Sequence, residues 1–75
     1  VKNLVAPVGV AVKRIRETLG WSQADLAKRS GLHVTAISHI ECGRRGARLE
    51  TLYSVAKAFG MTIQKLLDAA FGEGK

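Results

Sequence analysis

The sequence predicts an all-α fold, a compact set of five short helices, and three observations predict it. Apolar residues recur at spacings of three and four along most of the chain, the period of one helical face. No run of alternating apolar and polar residues bounded by turn signals occurs, so strands have no support. Glycines stand where the apolar stripes stop, at Gly20, Gly31, Gly43 and Gly60, and glycine is the residue that most readily takes a left-handed helix stop.

The elements follow in order. Val8, Val12, Ile15 and Leu19 fall on one stripe and define the first helix. Pro7 suits its opening turn, where a missing N–H costs nothing, and Gly20 closes it. Ser22 followed three places on by Asp25 resembles a capping box at the start of the second helix. Ala24, Leu26 and Ala27 give that helix its apolar side, and Gly31 ends it. After the short turn Gly31-Leu32-His33, Ile37 and Ile40 form the narrow apolar face of a third helix that stops at Gly43. The segment Arg44–Arg48 is basic and irregular. Leu49, Leu52, Ala56 and Phe59 mark the fourth helix. Thr62 is placed to cap the fifth, whose Ile63, Leu66, Leu67 and Ala70 share a side, and residues 72–75 read as a frayed tail.

Length and composition narrow the function. Seventy-five residues suit one domain, spanning 1–75, with a small core and no second layer to back a catalytic cleft. One cysteine, Cys42, cannot form an internal disulfide, which points to a reducing, cytoplasmic setting. No apolar run approaches the roughly 18 residues of a membrane span. The stretch Leu4–Val12 imitates a short signal sequence, but Pro7 and Gly9 interrupt it. Val1 in place of an initiating Met allows the chain to be part of a longer protein. The net charge is +6 and the pI about 10.1, so polyanions are the natural partners. The excess is concentrated: residues 28–48 carry Lys28, Arg29, Arg44, Arg45 and Arg48 against Glu41 alone, whereas 49–75 sum to zero.

Two short helices joined by a tight, glycine-containing turn are the arrangement that places a second helix in a DNA major groove. Ala27 is small where the two helices must approach, and Gly31 permits the positive φ of the turn. Leu32, Ile37 and Ile40 anchor the third helix, while Val34, Thr35, Ser38 and His39 form a face without long apolar chains. The motif covers about residues 22–43.

The run from Gln23-Ala-Asp-Leu-Ala through Gly31-Leu-His to Ile37-Ser-His-Ile-Glu41-Cys-Gly43, then Leu49-Glu-Thr-Leu52 and Ala56-Lys-Ala-Phe-Gly60, resembles the phage repressor/Cro-type (Xre-like) helix-turn-helix family over roughly residues 10–70. The Gly-Leu-His turn is also similar to that of restriction–modification controller proteins. The resemblance implies a lambda-repressor-like domain that binds double-stranded DNA and regulates transcription. It implies base reading by Val34, Thr35, Ser38 and His39, and phosphate contacts from Gln23, His33, Arg44, Arg45 and Arg48. It further implies an ion pair between Arg16 and Glu41 that orients the third helix. His33 stands where the family has a Ser or Thr cap, Val34 where a polar reader is common, and Ala47 where Pro is frequent. Val34 cannot hydrogen-bond a base edge but can pack on a thymine methyl.

Plainer roles stand beside these. Lys28 and Arg29 read as surface solubilisers, Trp21 and Tyr53 as the edge of the core, and Cys42 as an inert helix-end thiol. His39 and Cys42 lie three apart, but a structural zinc needs four ligands and no fourth candidate follows, so no metal or cofactor is expected. Ser38 and His39 are sequence neighbours and face different ways on a helix, which disfavours a nucleophile–base pair and an enzyme. Gly43–Gly46 imitates the backbone clamp of an RNA-binding fold that needs strands. Four aromatic residues are too few for single-strand stacking.

The expectation is a sequence-specific regulator of the bacterial or phage kind. It would bind a near-palindromic operator as a homodimer through Leu66, Leu67, Ala70 and Phe71, and would associate with the nucleoid when bound. The alternative is an antitoxin or bridging module whose main partner is another protein, such as a toxin.

Overall fold

The computed structural model describes residues 5–43 and 48–71. Five helices follow one another, α1 (Val5–Thr18), α2 (Gln23–Ser30), α3 (Val34–Cys42), α4 (Leu49–Ala58) and α5 (Ile63–Phe71), and no strand is present among the described residues. Arg44, Arg45, Ala47 and the tail 72–75 lie outside the described residues.

The local signals act where they stand. Ser22 Oγ accepts from the Asp25 backbone N–H at 3.0 Å while Asp25 Oδ2 accepts from the Ser22 N–H at 2.8 Å, a complete capping box. Thr62 Oγ1 accepts from the Lys65 N–H at 3.1 Å and so caps α5. His33 precedes α3 in extended conformation but makes no side-chain cap bond. Gly31 has φ 76° and donates its N–H to the Ala27 carbonyl, a left-handed stop that an L side chain would strain.

One core unites the elements. Val8 and Val12 of α1 meet Leu26 and Ala27 of α2, Ile37 and Ile40 of α3, Leu52, Val55 and Ala56 of α4 and Leu66 of α5. α1 lies against α3 and α5, α2 against α3 and α4, and α4 against α5. The α1–α3 approach is close: a Cβ at Gly9 would overlap the Ile40 carbonyl oxygen and stand 3.0 Å from that of Glu41. Gly9, in sequence only an interruption of an apolar stretch, is what lets the two backbones touch.

Several expectations fail for reasons of position, among them Ala24, which is exposed and adds nothing to the apolar side of α2. Leu19 is half exposed because α1 ends at Thr18, and a stripe extrapolated into the turn loses its face. Leu49 is 68% exposed, because the first turn of α4 extends past the core and Val55 takes the central position instead. Tyr53 is also exposed and is no core edge, since it shares Leu49's side of α4, four residues on. Leu66 is fully buried inside its own chain, so it offers nothing to a partner.

Candidate nucleic-acid interface

The α2–α3 unit presents one face of α3 to solvent. Ile37 and Ile40 face the core, fully or almost fully buried, leaving Val34, Thr35 and His39 exposed and Ser38 half-buried. Thr35, Ser38, His39 and Cys42 succeed one another at i, i+3, i+4 and i+7, so the exposed Cys42 belongs to this face as well. Reading Cys42 as a helix-end thiol overlooks that spacing, though the numbers are in the sequence. His33, just before α3, is exposed, and Arg48, just before α4, is exposed too. Arg44 and Arg45 fall outside the described residues.

Behind this face sits a buried polar cluster. Arg16 Nε donates to Glu41 Oε2 at 2.7 Å and Nη2 donates to Oε1 at 3.0 Å, a two-pronged pairing that joins α1 to the end of α3. The Glu41 side chain is only 3% exposed and that of Arg16 10%. Arg16 Nη1 donates to the Trp21 carbonyl oxygen at 2.8 Å, which ties the α1–α2 turn to the same group. The hydrogen bonds to Glu41 raise the Arg16 pKa against the lowering effect of burial, so the guanidinium stays charged. Gln23, half-buried in the first turn of α2, donates from Nε2 to Glu41 Oε1 at 3.0 Å. One carboxylate therefore holds three elements together.

A second contact braces α2 from outside. Trp21 stacks on Phe59 with ring centroids 5.8 Å apart, and the Arg29 guanidinium lies 4.3 Å over the Trp21 ring. Arg29 thus has a structural partner, which its reading as a solubilising charge does not include. Leu49, Glu50, Tyr53 and Ile63 line an open groove where α4 meets α5. Ile63, Leu67 and Phe71 recur in steps of four along α5. Leu67 and Ala70 are half-buried, and Phe71 is exposed. Among the described residues no group of three or more His, Cys, Asp or Glu side chains gathers, and no helix is long and apolar enough to cross a membrane.

A helix-turn-helix family model matches residues 12–66 of the chain. The chain belongs to the helix-turn-helix family. Among its relatives in that family, the control protein C.SmaI of Serratia marcescens is 41% identical over 56 residues, covering 75% of this chain and 67% of that protein. An uncharacterized HTH-type transcriptional regulator of Mycobacterium tuberculosis is 35% identical over 65 residues, covering 83% of this chain. The chain spans 25% of that regulator's length. In structure, the wild-type restriction–modification controller protein C.Esp1396I superposes with a TM-score of 0.85 at 29% identity, over 97% of this chain and 95% of that one. These relatives are described as a transcriptional regulator, a control protein and a restriction–modification controller. The all-α, lambda-repressor-like fold expected from sequence is the fold shared with that solved controller protein.

Proposed function

We propose that the chain is a sequence-specific DNA-binding transcriptional regulator that lays α3 in the major groove of a duplex. The observation that carries this reading is the free face of α3, small and polar, held beside the N-terminus of α2 by a buried network. Val34, Thr35, Ser38 and His39 read base edges. Thr35 and His39 do so by hydrogen bonds, and Val34 by contact with a thymine methyl. Gln23, His33 and Arg48, with Arg44 and Arg45, contact phosphates and set register without carrying sequence information. The concentration of positive charge in residues 28–48 of the sequence supports a polyanionic partner. Regulation of transcription is supported by the relatives described as transcriptional regulators and control proteins. The protein works in the cytoplasm and joins the nucleoid when bound.

One such domain covers few base pairs, and a two-fold dimer reads two half-sites about one helical turn, ~34 Å, apart. The apolar groove of Leu49, Tyr53 and Ile63, continued along α5 by Leu67 and Phe71, supports a homodimer and a near-palindromic operator. Ala70 contributes at most a flank. Selection of bound duplexes from a random pool at fixed salt tests the whole reading. A motif with two-fold symmetry is expected, and Thr35→Ala should change preference at one or two base pairs by roughly 1–3 kcal/mol each. A pool without enrichment overturns the reading and favours a protein partner such as a toxin.

A further inference from the structure

Glu41 accepts hydrogen bonds from Arg16 and from Gln23, but only Gln23 reaches toward solvent at the proposed DNA face. A glutamine carboxamide is chemically two-sided, one oxygen that accepts and one nitrogen with two hydrogens that donates. Against a carboxylate only the nitrogen is tolerated, since the oxygen would meet another acceptor. Contact with Glu41 Oε1 therefore decides which way the group is turned and leaves the second Nε2 hydrogen for another acceptor. That hydrogen lies at the start of α2, where the Gln23 and Ala24 backbone N–H groups have no acceptor among the described residues and the helix dipole is positive. Turned the other way, the carboxamide would present oxygen to a phosphate and repel it. A carboxylate so close to a phosphate would itself be unfavourable if left uncompensated. The two-pronged bond from Arg16 neutralises it on the spot.

We propose, building on the DNA-binding reading above, that Glu41 is a positioning residue for DNA: through its hydrogen bond it locks Gln23 in the orientation that donates to a backbone phosphate, and Arg16 cancels the charge this requires. Glu41 touches no DNA itself. Its effect passes through Gln23, and that makes it separable from a structural role.

The test compares two neutral replacements of the ion pair that leave net charge unchanged. The first, Arg16→Met with Glu41→Gln, keeps a carbonyl oxygen opposite Gln23; the second, Arg16→Met with Glu41→Leu, removes it. Each is combined with Gln23→Ala, and duplex affinity is measured well below the unfolding transition of every variant. In the parent, Gln23→Ala should weaken binding on the order of tenfold. A similar loss is expected in the first double variant and less than a twofold loss in the second. Equal losses in both overturn the positioning role and leave the DNA-binding reading intact. No loss in the parent removes Gln23's phosphate contact and the proposal with it, while parental affinity for duplex still reports on DNA binding separately. Glu41→Asp, which keeps the charge opposite Arg16 but withdraws the carboxylate by one methylene, gives the same comparison if the second double variant does not fold. There too Gln23→Ala must cost less than in the parent, and an equal cost overturns the proposal.

Discussion

The seam between α1 and α3 and the outer side of α4 and α5 are built on opposite plans. At the seam, backbones touch over Gly9, and a charged pair is buried with its hydrogen bonds largely satisfied. On the α4–α5 side, Leu49, Tyr53 and Phe71 stand exposed. Polar groups inside and apolar groups outside invert the usual distribution. A buried ion pair is a weak source of net stability, because desolvation offsets most of the attraction, but it admits few geometries. The seam therefore sets where α3 points. The outer side has the reverse character, surface whose burial would be favourable but which none of the described residues covers. One region defines orientation within the protomer, and the other is the surface on which the proposed homodimer rests.

Breaking the seam should have the largest effect. Arg16→Ala leaves the Glu41 carboxylate buried without its cation and should cost about 3–5 kcal/mol of stability, read from urea unfolding. A loss below about 1 kcal/mol, the range of an exposed pair, would mean the seam opens to water and orients nothing. Gly9→Ala comes next. Alanine suits a helix better than glycine, yet its methyl would press on the Ile40 and Glu41 carbonyls, and a net loss of about 1–3 kcal/mol is expected. Unchanged or raised stability would show that α1 and α3 separate without penalty.

The outer side should respond differently. Leu49→Ser and Tyr53→Ser should leave monomer stability within about 0.5 kcal/mol while weakening self-association roughly tenfold, measured by sedimentation equilibrium. If association is unaffected, this side is not the dimer surface, whatever its apolar character.

The smallest effect concerns the α2 cap. The Ser22 backbone N–H, followed by its hydroxyl, holds the Asp25 carboxyl below the usual carboxylate range. A folded pKa below the unfolded value contributes stability that is present above the unfolded pKa of about 3.9 and lost as pH falls through the folded one. The wild-type advantage over Asp25→Asn should thus be present at neutral pH and shrink below about pH 4, seen in thermal melts across that range. An advantage independent of pH would assign the cap's contribution to shape instead of charge.

Much of this is legible in the chain. The Ser22–Asp25 cap, the Thr62 cap and the glycine stops are local signals, written within a single helical turn and acting within it. The polar side of α3 is legible because Ile37 and Ile40 state which side is buried. Leu49, Tyr53 and Leu66 mislead for one shared reason: helical position gives the direction a side chain points, not whether another element lies there to cover it. Leu19 misleads because α1 has already ended. Leu66 and Leu67 are neighbours with identical side chains, yet one is sealed in the core and the other half-exposed. Gly9 cannot be understood locally at all, because what occupies its missing Cβ space is the carbonyl of Ile40, two helices further along.

Periodicity, caps and stops, which need only near neighbours, determined from the sequence alone that this protein is five helices with a helix-turn-helix at its centre. Resemblance to known repressors supplied the expectation of an Arg16–Glu41 pair. Only the tertiary structure decided that Gln23 joins that pair and that the unpartnered apolar surface lies on α4 and the flank of α5. Each of these depends on how helices distant in sequence approach one another. That approach is set by the packing of the whole core, which no short window of residues contains.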